Sequence, residues 1–310
     1  MGTMQEWRYP SSDGIHSIYV REWVPEGEVR CVLQIVHGVA DHIRRYDHVA
    51  QFLSEQGVLV CGEDHLGHGR TAEDGIYGYF GPEQGWELVV RDIHSLRQRM
   101  EKRYPGVPYG MLGHSMGSFL TRTYLLKGFK PLAGVVLSGT GQESAVMVAG
   151  GRTLARLLAK LRGKDYVSSL VYDLSMGAYN NRFQPVRTSA DWVSRDEEQV
   201  DIRVSDPLCS FRPTVQLFVD MLSALQYLSK QKNLAGMDPN PPVYFFSGDR
   251  DPVGGAGKGV EKVADMFRTA GCRDVTVKLY PGGRHEMFNE INRQEVMEDL
   301  LAWLKKKMIL

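Results

Sequence analysis

The pentapeptide Gly-His-Ser-Met-Gly at residues 113–117 has the residue types of a serine nucleophile held on a sharp turn. It follows the apolar run 108–112 and precedes the helix-like run 119–127, which is the strand, turn, helix setting that such a serine needs. A serine hydroxyl attacks a carbonyl carbon only when it stands clear of its own backbone, so the chain must reverse so tightly that β-carbons two residues away would collide. The two glycines remove those β-carbons. The pattern predicts that Ser115 is a nucleophile for acyl transfer, and an ordinary glycine-rich turn is the alternative.

A nucleophilic serine needs a general base, and the base needs an acid that orients it. His285 is the predicted base, because it follows the strand-like run 275–280 and a Pro-Gly-Gly turn that can project an imidazole toward the sheet edge. Two candidate acids, Asp249 and Asp251, follow the strand-like run 243–246. We expect Asp251 to be the acid, since the extra residues before it let the chain turn back over the sheet edge, and we expect Asp249 to pair locally or cap the turn.

Two backbone N–H groups are expected to bind the oxyanion that forms when the serine attacks. One belongs to Met116, which follows the serine at the start of a helix, where free N–H groups and the positive end of the helix dipole face the reacting atoms. The other belongs to Val39, in a loop after the apolar run 31–37, where Gly38 allows a close approach. A tight strand-to-helix turn without this role is the alternative for the loop.

Short apolar runs alternate with longer amphipathic runs along most of the chain, a pattern typical of an α/β fold with a mostly parallel sheet and helices on both faces. The alternation stops near residue 141 and resumes near residue 242. We expect one core formed by residues 1–140 and 212–310, and a helical cap formed by residues 141–211, here called the cap segment, over the C-terminal edge of the sheet. The strand-like runs are 14–25, 31–37, 58–63, 108–112, 133–138, 242–247 and 275–280, and the helix-like runs are 45–56, 83–104, 119–127, 152–161, 168–176, 258–269 and 295–306.

The composition limits the partners of this chain. Of its 310 residues, 37 are Lys or Arg and 37 are Asp or Glu, so the formal net charge is zero and no long-range field would draw it to a nucleic acid. We expect no nucleic-acid partner and no obligate protein partner. The start of the sequence lacks a basic segment followed by an apolar one, and no apolar stretch approaches the length of a membrane span. Any membrane contact is therefore expected to be peripheral and through the cap segment.

The cysteines and the glycine-rich segments do not indicate a cofactor. The four cysteines form no C-x-x-C pair, which favours buried reduced thiols and a cytoplasmic setting. They are Cys31, Cys61, Cys209 and Cys272. The segment 254–259 lacks the first glycine and the final Ser or Thr of a phosphate loop. Four histidines near predicted strand ends lack the spacing of a metal site, and they are His37, His42, His65 and His68. We expect neither a cofactor nor a metal ion.

Five short motifs together resemble the monoacylglycerol lipase and lysophospholipase group of α/β-hydrolases, a serine aminopeptidase S33-type family. They are His37-Gly38, the segments 64–70, 113–117 and 248–253, and Gly283-Arg284-His285. The resemblance implies an α/β-hydrolase fold with an eight-stranded sheet. In that family the acid lies three residues after the glycine that ends its strand, which supports Asp251. The resemblance also implies a cap, inserted where the alternation stops here, that forms a lipophilic tunnel to the serine.

Two departures from the family pattern concern the substrate. Lipases of the family carry Glu in the loop after His-Gly and Arg four residues later, near the glycerol hydroxyls, whereas Asp41 and Arg45 stand at those positions here. These two side chains either take that task or simply pair at helical spacing. The glycerol lipases also have a second histidine three residues after the catalytic one, where this chain has Phe288. The candidate substrate contacts are Asp41, Arg45, His114 and Phe288.

The interpretation that follows is a serine hydrolase of carboxylic esters with an apolar acyl chain, such as a monoacylglycerol or a lysophospholipid. An aminopeptidase of the proline-iminopeptidase type is an alternative, in which Glu143, Asp165 or Asp173 would hold the substrate amine. A hydrolase fold kept as a non-catalytic ligand-binding module is a second alternative. A complete set of predicted nucleophile, acid and base argues against the latter.

Overall fold

One sheet of eight strands runs through the structure, a computed structural model that describes residues 2–308. The strands are β1 (Thr3–Pro10), β2 (Ser17–Val24), β3 (Cys31–Val36), β4 (Val58–Glu63), β5 (Tyr109–His114), β6 (Gly134–Ser138), β7 (Val243–Gly248) and β8 (Val275–Tyr280). Their spatial order is β1-β2-β4-β3-β5-β6-β7-β8. β1 pairs with β2, and β2 with β4, in antiparallel fashion, and the other pairs are parallel. The predicted mostly parallel, eight-stranded α/β sheet is confirmed.

Burial explains which strands the sequence pattern revealed. Every residue of β3, β4, β5, β6 and β7 is buried. Parallel strands covered by helices on both faces appear in a sequence as continuous apolar runs, and all five were expected. β1 was not expected, because six of its eight residues are exposed and it pairs with only one neighbour at the sheet edge.

Helices cover both faces of the sheet. The nine α-helices are α1 (Asp47–Ser54), α2 (Gly85–Arg103), α3 (Met116–Leu125), α4 (Ala145–Arg162), α5 (Ser169–Leu174), α6 (Glu197–Ser205), α7 (Val215–Leu228), α8 (Lys258–Thr269) and α9 (Arg293–Lys307) within residues 2–308. Buried side chains of α2, α3 and α8 form one core on one face, and those of α1 and α9 form a second core on the other. Both cores pack against β3, β5, β6 and β7, which fixes the strand ends that carry the predicted site.

The cap segment contains α4, α5 and α6. Helix α7, which follows it, packs along α4, with Ala155 of α4 and Phe218 of α7 in one apolar cluster. Sequence reasoning missed α7, although Thr214 directly before it is a helix-capping residue, and its side chain accepts the N–H of Leu217. The division into a core and a cap at residues 141 and 211 stays a prediction.

Candidate active site

Ser115 lies at the tip of the turn between β5 and α3, with a φ of +53° and a ψ of −122°. A positive φ strains a residue other than glycine, and such strain is typical of a serine held clear of its backbone. A β-carbon on Gly113 would lie 2.5 Å from the carbonyl oxygen of Gly117. A β-carbon on Gly117 would lie 1.9 Å from the carbonyl oxygen of Val36 on β3. The turn therefore closes against its own backbone and against the neighbouring strand, which is why both positions need glycine.

His285 and Asp251 form a buried pair. The Nδ1 atom of His285 lies 3.0 Å from Oδ1 of Asp251. Asp251 also accepts hydrogen bonds from the Ser247 hydroxyl (2.7 Å) and from the N–H of Val253 (2.9 Å). Burial alone would raise the pKa of Asp251, but attraction to His285 and these hydrogen bonds outweigh burial and lower it. The ionised carboxylate can only accept, so it holds the proton on Nδ1 and leaves the Nε2 lone pair of His285 free.

The other candidate acid does not contact the histidine. Asp249 accepts a hydrogen bond of 2.7 Å from the N–H of Gly282, and so joins the loop after β7 to the loop after β8. This is a turn-stabilising role of the kind expected for it. The imidazole of His285 packs closely against Gly139, where a β-carbon would lie 2.9 Å from Cε1 of the ring. The structure thus brings Asp251, and not Asp249, to His285.

The two predicted oxyanion donors are both unused. Among the described residues, the N–H groups of Val39 and Met116 have no hydrogen-bond acceptor. The loop of Val39 lies close to the serine, because a β-carbon on Gly38 would be 3.2 Å from Cβ of Ser115. Unpaired backbone donors beside a strained serine are what an oxyanion site requires.

His37 fixes the orientation of the Gly38–Val39 peptide. Its Nε2 accepts the N–H of His65 (3.1 Å), so its proton is on Nδ1, which donates to the carbonyl oxygen of Gly38 (2.8 Å). That carbonyl belongs to the same peptide group as the N–H of Val39, and a trans peptide directs the two in opposite directions. Burial, together with the neighbouring His65, holds the pKa of His37 well below its ordinary value, so the ring stays neutral.

A buried network of charges supports the same loop. Asp41 accepts hydrogen bonds from the N–H of Gly38 (3.2 Å) and from Arg45 (3.1 Å). Arg45 also binds both carboxylate oxygens of Glu286, at 3.0 and 2.5 Å. Burial would raise the pKa of Asp41 and of Glu286, but attraction to Arg45 outweighs it and lowers both. Of the two roles considered for Asp41 and Arg45, the structure contains the pairing, with Glu286 as an additional partner.

The cap segment joins this network through Arg203 of α6. Its guanidinium donates a hydrogen bond of 2.8 Å to the carbonyl oxygen of Ala40 and lies 3.6 Å from the carboxylate of Glu286. Ala40 has a φ of +49°, so the loop is strained where Arg203 holds it. Sequence reasoning missed Arg203 and Glu286, because their partners lie far away in the chain and neither belongs to a recognisable motif.

A cavity of about 620 Å³ lies over the serine. Ser115, His285, Val39 and Met116 line its base together with Asp41 and His114. Its walls are mainly apolar side chains of the cap segment and α7, among them Leu154, Val171, Phe218, Met221, Leu222 and Leu225. A cavity of this size and lining is typical of a site for a small apolar ligand.

The four candidate substrate contacts fall into two groups. Asp41 and His114 line the cavity, and the His114 ring lies 4.8 Å from that of His285. Arg45 does not line it and is engaged in the network described above. Phe288 does not line it either, because its side chain is 4% exposed and packs against Phe246 in the core beneath. The phenyl group at position 288 therefore acts in packing.

Two aromatic residues of the cap segment were not anticipated. The ring of Trp192 lies 4.9 Å from the ring of His285, and Tyr179 packs 4.9 Å from Trp192. Both line the cavity. No local pattern marks them, since a lone tryptophan in an irregular segment is as compatible with ordinary packing. They cover the imidazole on the side of the cap segment.

One cluster in the described part of the chain has metal-ligating atoms close together. His42, Asp206 and Cys209 place such atoms within 4.8 Å of one another. His42 Nε2 and Asp206 are already joined by a hydrogen bond of 2.8 Å. Burial raises the pKa of the Cys209 thiol to about 12, which disfavours the thiolate that a metal ion would need. The cluster is thus suited to a structural contact.

Comparison with known proteins identifies the family and the fold. A family model described as serine aminopeptidase, S33, matches residues 27–292. A monoacylglycerol lipase of Mycolicibacterium smegmatis is 29% identical over 97% of each chain, and a monoglyceride lipase of Rattus norvegicus is 25% identical over 96% of this chain and 89% of its own. Among solved structures, a thermostable carboxyl esterase from Bacillus coagulans in complex with glycerol superposes with a TM-score of 0.92 at 29% identity over all of both chains.

A second solved structure, a lipase in an open form, superposes with a TM-score of 0.88 at 27% identity over 99% of this chain and all of its own. The predicted α/β-hydrolase fold and the predicted enzyme class, a carboxylic-ester hydrolase, are confirmed by these similarities. The match of the family model extends over far more than half of the chain. The chain therefore belongs to the serine aminopeptidase S33 family and is an α/β-hydrolase of the monoacylglycerol-lipase-like group.

Proposed function

We propose that this hydrolase cleaves carboxylic esters of apolar acyl chains, with monoacylglycerols or lysophospholipids as substrates, through an acyl-enzyme on Ser115. The observation that carries the proposal is the mainly apolar cavity whose base holds Ser115, His285 and the unpaired N–H groups of Val39 and Met116. Such a cavity suits an acyl chain, and its base suits the ester carbon. The relatives named as monoacylglycerol lipases, and the related esterase in complex with glycerol, support glycerol esters as the substrate class.

The first half of the proposed reaction forms the acyl-enzyme. Oγ of Ser115 attacks the ester carbon while Nε2 of His285 takes its proton, and Asp251 stabilises the imidazolium. The N–H groups of Val39 and Met116 bind the oxyanion, and Met116 adds the favourable field at the N-terminus of α3. Collapse of the tetrahedral intermediate breaks the bond to the alcohol, which leaves with the proton from His285.

The second half releases the acid. A water molecule gives its proton to His285 and attacks the acyl carbon, and the same two N–H groups bind the second oxyanion. Collapse then breaks the bond to Oγ of Ser115, which regains the proton. The depressed pKa of Asp251 keeps the carboxylate ionised through both halves.

We assign the alcohol portion of the substrate to polar side chains that line the cavity. Glu143, Tyr179 and Arg182 are among them, and Tyr179 packs against Trp192, whose ring lies beside that of His285. Their hydroxyl, carboxylate and guanidinium groups can bind the hydroxyls of glycerol or a polar head group. In this proposal they take the place of the second histidine found in glycerol lipases, since Phe288 lies in the core.

One observation favours aminopeptidase activity as a second candidate. Of the three acidic residues considered for an amine site, Glu143 lines the cavity, whereas Asp165 and Asp173 are exposed and do not. Glu143 alone would have to hold the amine of a substrate. Comparing the hydrolysis of a proline anilide with that of a short aryl ester distinguishes the two activities.

A peripheral contact with a lipid surface is also proposed, through α4 and α5 of the cap segment. Val146, Leu161 and Leu174 expose 83, 67 and 65% of their surface. Helix α4 carries four basic side chains and no acidic one, which suits an anionic interface. Within residues 2–308, no helix is both long and apolar enough to cross a bilayer.

The four buried, unpaired thiols support the further proposal of a reducing, cytoplasmic setting.

The proposal is tested with a panel of lipid esters and a proline anilide, assayed with wild type and with Ser115→Ala. We expect wild type to release fatty acids from monoacylglycerols or lysophospholipids, and Ser115→Ala to lose several powers of ten in kcat. Released products are identified by mass. Equal turnover by the two proteins would contradict the mechanism, and cleavage of the anilide alone would favour the peptidase.

A further inference from the structure

Helix α4 contains two consecutive glycines, Gly150 and Gly151, in its interior. Glycine destabilises a helix interior relative to alanine, so each position needs a reason. Packing explains Gly151, since a β-carbon there would lie 3.3 Å from Cδ1 of Leu222 on α7. Packing does not explain Gly150. A β-carbon built on Gly150 would have no heavy atom within 4 Å apart from its chain neighbours and the backbone of its own helix.

Gly150 lies where two apolar spaces meet. On one side is the cavity over Ser115. On the other side is an outer groove along α4 and α7, lined by Val146, Ala149, Leu157 and Gln226 among others. Gly150 and Leu154 line both spaces. Gly150 therefore forms part of the boundary between the cavity and the groove without contributing a side chain to it.

We infer that the distal end of a long acyl chain passes from the cavity into the outer groove beside Gly150, so that residue 150 limits the acyl chain length. The inference rests on the proposed function, because it assumes an acyl ester on Ser115. An acyl chain is the occupant that fits, since the groove continues the apolar cavity and its exposed Val146 and Leu157 offer no polar partner. Each methylene buried along this path is worth roughly fourfold in kcat/KM.

Two substitutions at one position test the inference. Gly150→Leu fills the open space and Gly150→Ala adds one methyl group to it, and both improve helix propensity, so both proteins are expected to fold. The substrates are butanoyl, octanoyl and hexadecanoyl monoacylglycerols offered together in the same mixed micelles. Mass spectrometry of the released acids gives relative kcat/KM values free of differences in protein concentration.

We expect Gly150→Leu to lower the ratio of hexadecanoyl to butanoyl kcat/KM at least tenfold relative to wild type, while Gly150→Ala changes this ratio by no more than a few fold. An unchanged ratio for Gly150→Leu, which is also what an equal loss on all three esters would give, would overturn the inference. Failure of the proposed function is recognised separately, because wild type would then fail to release butanoate.

Discussion

Arg203 on α6 donates a hydrogen bond of 2.8 Å to the carbonyl oxygen of Ala40, two peptide groups away from the one that carries the N–H of Val39. The bond joins the cap segment to the loop that is proposed to bind the oxyanion. Since the same guanidinium lies near Glu286, directly after His285, one side chain connects both loops of the site. The cap segment is thus bonded directly to the loop that carries one of the two proposed oxyanion donors.

Replacing Arg203 is expected to reduce kcat more than it changes KM. Arg203→Met leaves the Ala40 carbonyl without this donor and removes one of the two guanidinium groups beside Glu286. The loop of Val39 is then held less firmly, and we expect a loss in kcat of roughly tenfold, less than removal of an oxyanion donor. Arg203→Lys retains a donor and should lose less. Steady-state kinetics on a soluble ester measure both. The control is Arg187→Met, which breaks an exposed ion pair with Asp201 in the same segment. A rise in KM with unchanged kcat would contradict a positioning role.

The two aspartates after β7 are expected to differ sharply. Asp251→Asn removes the charge that orients and stabilises His285, and we expect a loss in kcat of roughly 10⁴-fold. Asp249→Asn keeps an oxygen that can accept the N–H of Gly282, so its activity should stay near wild type. The two variants are matched in size and charge change. Comparable losses of kcat in the two variants would contradict the assignment of Asp251 as the acid.

A buried carboxyl group behind the site should make stability depend on pH. Burial raises the pKa of Glu63 from an ordinary value of 4.5 to about 8. The hydrogen bond from Gln34 lowers the pKa, but burial outweighs it. The folded state thus favours the protonated acid, and this contribution is fully present below pH 4.5 and is lost as the pH rises through about 8.

We therefore compare the free energy of unfolding of Glu63→Gln with that of wild type at two pH values. The difference in favour of the variant is expected to be larger at pH 8 than at pH 5, by on the order of a few kcal/mol. Urea unfolding of both proteins in the same two buffers measures the difference. The amide preserves the size of the side chain and cannot ionise. A stability difference that is the same at both pH values would show that folding does not raise the pKa of Glu63.

The elements that sequence reasoning predicted are those with a strong local cause. The buried parallel strands and the glycines around Ser115 have such a cause, and the loops after β7 and β8 bring Asp251 to His285, as expected from the sequence. The exposed edge strand β1 has no such local cause in the sequence. Arg203 and Trp192 could not be predicted, because their roles arise only when an irregular segment packs on the sheet edge. Phe288 was considered as a substrate contact by analogy, yet it packs in the core.

The proposed contact with lipid surfaces predicts a substrate-dependent effect of charge. Val146→Glu and Leu161→Glu place carboxylates on exposed positions of α4, so folding should be little affected. We expect reduced flotation with anionic vesicles and slower hydrolysis of a vesicle-borne ester, with turnover of a water-soluble ester unchanged. The same substitution at Ile15, which is exposed in the loop before β2 and outside the cap segment, is the control. Equal effects on soluble and vesicle-borne esters would contradict a docking role.

The central claim is that Ser115 is an activated nucleophile, and covalent labelling tests it most directly. Intact and peptide mass spectrometry after exposure to a fluorophosphonate should find one adduct, on the peptide that contains Ser115. Labelling should be absent in Ser115→Ala and much slower in His285→Ala, because the imidazole takes the proton from the attacking hydroxyl. An adduct on a different serine, or ester hydrolysis that persists in Ser115→Ala, would contradict the account.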